Sequence, residues 1–115
     1  MKREIKFRGK TKYGTWAYGD LFHRKTTVKS ISSVMVDNIA VIEDTIGQFT
    51  GMYDKNNKEI YEGDILKDIA NNHYHVVLWN GCWWVKMKGV IIDPLINKCR
   101  SSEVIGNIFD NPDMV

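Results

Sequence analysis

Hydrophobic and polar residues alternate with period two over most of the chain, the pattern of strands half buried against a core. Ile5 and Phe7 alternate with Glu4, Lys6 and Arg8, which predicts a strand over 4–9. Trp16, Tyr18 and Asp20 alternate with Ala17 and Gly19, predicting a second strand paired with the first and extended by Leu21-Phe22. His23 to Thr27 reads as a loop or hairpin tip. Val28, Ser30, Ser32, Val34 and Val36 then share one parity, and Ile31 and Met35 the other, for one or two further strands. Asp37-Asn38 is a turn candidate, Ile39–Ile42 a short strand, and Glu43-Asp44-Thr45 a helical turn.

From Gln48 to Leu66 the chain reads as strand, turn, strand, and the remaining elements are organised around this stretch. Phe49, Met52 and Tyr53 run into the polar stretch Asp54-Lys55-Asn56-Asn57-Lys58, and Ile60-Tyr61 resumes the apolar run. Asn56-Asn57 stands where a tight hairpin needs positive φ, a conformation that Asn tolerates better than any residue but Gly. Asp54 is placed to fold its carboxylate onto the backbone two residues on. Gly63, inside the second run, signals a bulge or sharp bend. A meander comes next: a strand over Ile65–Ile69, a turn at Asn71-Asn72, a strand over His73–Trp79, the hairpin signal Asn80-Gly81, and a return over Cys82–Lys88. Asp93-Pro94 breaks the next run, Glu103–Ile108 makes a last strand, and Asn111-Pro112 starts a turn or short helix. Such a series of short antiparallel strands builds a small closed barrel.

Composition supports an all-β chain with minor helix content. Thirteen Ile, ten Val and six Thr stand against three Ala and four Leu, so β-branched residues far outnumber strong helix formers. At 115 residues the chain makes one domain, or two small subdomains sharing a core. No apolar run approaches the ~20 residues of a bilayer span. Met1-Lys2-Arg3-Glu4 leads into a strand and not into an apolar signal core. A cytoplasmic protein without a membrane partner is expected.

Charge is unevenly spread. Residues 1–30 hold nine Lys/Arg and two acids, net +7, whereas residues 31–115 hold seven and twelve, net −5. Three readings stay open: solvated strand faces, association of a basic arm with an acidic body, and a phosphate-binding N-terminal surface with Phe7, Trp16 and Tyr18 interleaved.

The candidate chemistry is thin. His73 and His75 share a strand face and could begin a metal site with Asp68, but no third ligand has metal-like spacing, and exposed strand histidines are the alternative. Cys82 and Cys99 lack a C-x-x-C partner; Cys82 reads as a packing residue, and a disulfide between the two would depend on geometry. Glu59, Glu62 and Asp64 cluster after the turn without an identifiable nucleophile or metal partner, so structural use is expected, with Asp64 accepting backbone N–H bonds at the bend. No cofactor is expected. Trp79, Trp83 and Trp84 surround one hairpin. Trp83 and Trp84 are adjacent and face opposite sides of a regular strand, so at least one points away from the interior. With Trp16 and Tyr18 they are the candidate binding residues, for another subunit before nucleic acid.

The run Phe49-Thr50-Gly51-Met52-Tyr53-Asp54-Lys55-Asn56-Asn57-Lys58-Glu59-Ile60-Tyr61-Glu62-Gly63-Asp64-Ile65 resembles the signature of the YopX family of phage and prophage proteins, usually Y-T-G-L-x-D-x-N-G-K-x-I-Y-E-G-D-I. Ile5–Gly9, Trp16–Leu21, Thr45–Gln48 and Val104–Pro112 resemble other parts of that family. The main departure is Asn57 where Gly is usual. The resemblance implies a β-rich fold: a Src-homology-3-like barrel over 48–115, with a basic β subdomain over 1–47 packed on it. It implies self-association and carries no established reaction, so no catalytic residue comes with it. On this reading the chain is a non-catalytic module in a bacterial host cytoplasm. It would form a homo-oligomer and bind a host or phage protein. The alternative is a nucleic-acid-binding module using the basic first thirty residues.

Overall fold

The computed structural model describes residues 4–24 and 34–115. The expected strands between Val28 and Ser32 fall outside the described residues. The chain is a series of short antiparallel strands joined by tight turns, in two compact units, Met1–Phe49 and Thr50–Val115. Among the described residues no helix is long and apolar enough to cross a membrane.

In the first unit, β1 (Phe7–Lys10) pairs with β2 (Trp16–Gly19), with Arg8 opposite Tyr18. The expected extension of β2 through Leu21 does not occur. Gly19 takes φ 144°, the chain breaks at Asp20, and β3 (Leu21–His23) pairs instead with β4 (Val34–Val36). His23 therefore ends a strand where a loop was expected. β4 turns at Asp37-Asn38 into β5 (Ile39–Ala40), and both turn residues have positive φ, 52° and 60°. A short 3-10 turn, Glu43–Thr45, follows where a helical turn was expected. The core is Ala17, Val34, Val36 and Val41, with Phe7, Leu21 and Ile46 against it. Burial of these apolar side chains drives the unit together.

β6 (Gly47–Tyr53) begins in the first unit, where Gln48 pairs with Phe7, and continues into the second, where it is followed by β7 (Glu59–Tyr61). Then come β8 (Asp64–Asp68), β9 (His73–Trp79), β10 (Cys82–Met87), β11 (Val90–Pro94) and β12 (Ser102–Asn107). The last five form one sheet in the order β11-β10-β9-β8-β12. A meander closed by a final strand that returns to its first member is the Src-homology-3-like arrangement. Its core is Ile60, Leu66, Tyr74, Val76, Val85, Leu95 and Cys99. Leu95 and Cys99 reach it from two successive 3-10 turns, Leu95–Asn97 and Cys99–Ser101, that lie between β11 and β12.

Two kinds of turn recur among the described strands, and each has a local cause. The two-residue loops Asp37-Asn38, Asn80-Gly81 and Lys88-Gly89 have positive φ at both positions, the form whose twist matches the flanking strands. The longer loops start at Thr11, Asp54 and Asp68. In each, the starting residue's carbonyl accepts an N–H three residues on, from Gly14, Asn57 or Asn71, and that donor sits at positive φ, 86°, 61° or 66°. The side chain of Thr11, Asp54 or Asp68 also accepts a loop backbone N–H. Asn56 does not adopt positive φ: the left-handed position falls on Asn57 alone, where the family pattern has Gly.

At Gly9 an added Cβ would meet three side-chain carbons of Val41 at 2.8–2.9 Å. Val41 is branched and buried, so it has no free rotamer to retreat into. Gly9→Ala is expected to lower the stability of the first unit by about 1–3 kcal/mol, read by hydrogen exchange of β1 and β4 amides.

Candidate functional site

The signature hairpin is held by backbone bonds. Asp54 is almost fully buried, with 1% of its surface exposed. Its Oδ1 accepts the N–H groups of Asn56 and Lys58 at 2.8 and 2.9 Å, and its Oδ2 accepts the N–H of Val104 in β12 at 2.9 Å. The N–H of Lys55 donates to the Ser102 carbonyl. Together these two residues bond to β12 as a sixth strand would. Arg100 clamps the loop from outside, with Nη1 donating to the Asp54 carbonyl and to Asn57 Oδ1. Burial alone would raise the Asp54 pKa. The backbone bonds from Val104, Lys58 and Asn56, with the charge of Lys58, outweigh it and hold the carboxyl below the usual range.

The rest of the motif is used in the same way. Thr50 Oγ1 donates to the Ile60 carbonyl at 2.8 Å and accepts the Met52 N–H. Gly51 takes φ 81° between Thr50 and Met52. Ile60 and Tyr61 are buried, and the Tyr61 hydroxyl donates to Glu59 Oε1. At Glu62-Gly63-Asp64, Gly63 takes φ 89°, donates to the Val76 carbonyl and accepts from Ile108, while the buried Asp64 Oδ2 accepts the Tyr61 N–H at 2.7 Å. Asp64 thus serves the bend, as expected.

The aromatic candidates do not form one site. In the first unit Trp16 is half-buried, with the Arg8 guanidinium 4.8 Å from its ring, and Tyr18 is half exposed. In the second, Trp83 turns inward against the core, and Trp84 turns to the other face. There it meets Trp79 edge to face, with ring centroids 5.8 Å apart, and its Nε1–H donates to the Trp79 carbonyl at 3.0 Å. Trp79 itself is 52% exposed. Val77 and Pro94 pair with Trp84 from either side, so an apolar row crosses three strands with Trp84 at its centre.

Cys82 sits opposite Trp79 and is exposed, which corrects its reading as a packing residue: the two-residue turn holds it at the hairpin end, beyond the core. Cys99 is the cysteine that packs, and both are free thiols. His73 and His75 do not converge on Asp68. His73 Nδ1 donates to the Met114 carbonyl at 3.0 Å. Burial lowers the His75 pKa, and Lys86 across the sheet lowers it further. Asp68 accepts the Tyr74 hydroxyl at 2.6 Å and two bonds from Asn72. The tyrosine bond contributes most to a pKa lowered to about 2. Among the described residues no group of three or more His, Cys, Asp or Glu is placed to hold a metal.

Sequence reasoning missed Arg100, whose role depends on a loop 43 residues away, and a cavity between the Asn71-Asn72 and Lys88 turns. The Lys88-Gly89 pair after the alternating β10 run was the available signal for one wall of that cavity.

The YopX protein family profile matches residues 3–115. A crystal structure of protein EF1440 from Enterococcus faecalis is similar in fold, with a TM-score of 0.58, 22% identity, and coverage of 98% of this chain and 99% of that one. No match was found among curated proteins.

Asp54→Ala leaves three backbone N–H groups without their acceptor and is expected to cost about 3 kcal/mol in urea unfolding of the second unit. Because the folded pKa of Asp54 lies below its unfolded value of about 3.9, its contribution is complete at neutral pH and is lost as pH falls below about 4. Asp54→Asn is therefore expected to flatten the acid limb of the stability curve; an unchanged limb would remove the carboxylate from this role.

Proposed function

The chain belongs to the YopX protein family, and from that starting point we propose that it is a non-catalytic, self-associating protein-binding module of a phage or prophage, acting in the bacterial cytoplasm. The observation that carries this reading is the Trp79–Trp84 pair. Its edge-to-face packing and the bond from Trp84 to the Trp79 carbonyl fix the rings in advance, so little side-chain entropy is lost on contact. The Trp84 N–H is already engaged, and the pair presents apolar surface, with Val77 and Pro94 flanking Trp84 on the neighbouring strands. Rigid exposed tryptophans of this kind dominate the energy of protein contacts.

The non-catalytic part rests on where the signature residues are spent. Asp54 and Asp64 are buried acceptors of backbone N–H groups. Self-association is supported by the charge imbalance: a basic first thirty residues and an acidic remainder suit copies that meet unlike end to unlike end. A nucleic-acid role ranks below this. Of its candidate residues, Arg8 is 5% exposed and stacked on Trp16, and Lys6 pairs with Glu4 at 2.8 Å and lies over Phe49.

Sedimentation velocity across a concentration series, at low and moderate salt, tests the reading. A species larger than the monomer is expected, and Trp79→Ala should weaken its association by about tenfold or more. A monomer at every concentration would overturn self-association. Salt-dependent mobility shifts with DNA or RNA would favour the alternative.

A further inference from the structure

The cavity between the turns of the second unit measures about 550 Å³, within the range of small-ligand sites. Its walls come from the β8–β9 turn at Asn71-Asn72, the β10–β11 turn at Lys88, and the C-terminal 3-10 turn Pro112–Met114. The bond from His73 Nδ1 to the Met114 carbonyl ties the last wall to β9.

Its chemistry is specific. Met87 and Met114 are among its lining residues, and a methionine side chain is polarizable and adapts to apolar shapes. Lys88 and Asp113 line it with opposite charges. Among the described residues neither side chain has an ion-pair or hydrogen-bond partner, and they do not pair with each other. Lys88 also occupies a costly backbone position. Of the six non-glycine residues with positive φ among the described residues, five are Asp or Asn and the sixth is Lys88, at φ 50°. Asn adopts this conformation more readily than Lys, so the lysine is the less favoured residue for the turn. Strain of this kind collects where a side chain is needed for binding.

We propose that this cavity binds a small zwitterion with an apolar body, an apolar amino acid or a short apolar peptide. Lys88 receives the carboxylate, Asp113 receives the ammonium, and Met87 and Met114 pack on the side chain. The site is separate from the Trp79–Trp84 surface and does not depend on self-association.

Methyl-labelled methionine reports on the site directly. The full chain is titrated with leucine, leucyl-leucine, a straight-chain carboxylate and a straight-chain amine, and the Met87 and Met114 methyl resonances are followed. Saturable shifts with leucine or leucyl-leucine are expected, and the tighter of the two identifies the source. Lys88→Asn and Asp113→Asn should each weaken binding by about tenfold, as for one lost charged contact. Lys88→Asn should also raise the melting temperature, which separates binding from folding. Absence of methyl shifts with either zwitterion, equal binding by the carboxylate or the amine alone, or unchanged affinity in Lys88→Asn would each overturn the assignment.

Discussion

The buried carboxylate of Asp54 is the constraint on which the second unit depends. Two of its bonds close its own loop, and the third crosses to Val104. A loop alone would need only the first two. The third, with the Lys55 N–H on the Ser102 carbonyl, occupies the outer edge of β12. An open strand edge carries unpaired N–H and C=O groups that invite other chains. Here a turn takes up the Ser102 carbonyl and the Val104 N–H, so this part of the edge is covered by a side chain and a loop. Burying an ionised carboxylate is unfavourable unless its oxygens are bonded, and the position therefore tolerates only a loop that supplies those donors.

The other edge is managed differently. β11 carries a register shift opposite Val85/Lys86 and finishes with Asp93 and Pro94. A bulge, a charge and a residue without an N–H all discourage edge pairing. With both edges blunted, sheet extension is a poor route to association. The Trp79–Trp84 pair lies on a face of β9 and β10 and not at an edge, and it is held by the same hairpin that exposes Cys82.

The turns of the second unit fall at the two ends of its sheet. The loops at Asn71 and Lys88 lie at one end of the sheet, and the Asn80-Gly81 loop joins the opposite ends of β9 and β10. Tight positive-φ turns keep both ends short, with the tryptophans near one and the cavity lined by Met87 and Met114 at the other. The signature motif, by contrast, is consumed in holding the fold.

Local residue order was enough for several features settled within a few positions, though not for Asn56, Cys82 or the Lys88-Gly89 turn. Alternation set the strands β9, β10 and β12 to within a residue or two, and Asn80-Gly81 and Asp37-Asn38 announced their turns, because turn conformation depends on the local tolerance for positive φ. The adjacency of Trp83 and Trp84 required opposite faces. Which of them turns inward was left to the folded sheet, because both are apolar and only the pairing with β9 and β11 decides which face meets the core. The same holds for the break at Gly19, where β3 leaves β2 to pair with β4, and for Leu95 and Cys99, which enter the core from turns with no period to mark them. It holds most of all for Asp54. Its local bonds arise from residues two and four away, but its third donor lies 50 positions along the chain, and only long-range strand pairing brings the two together.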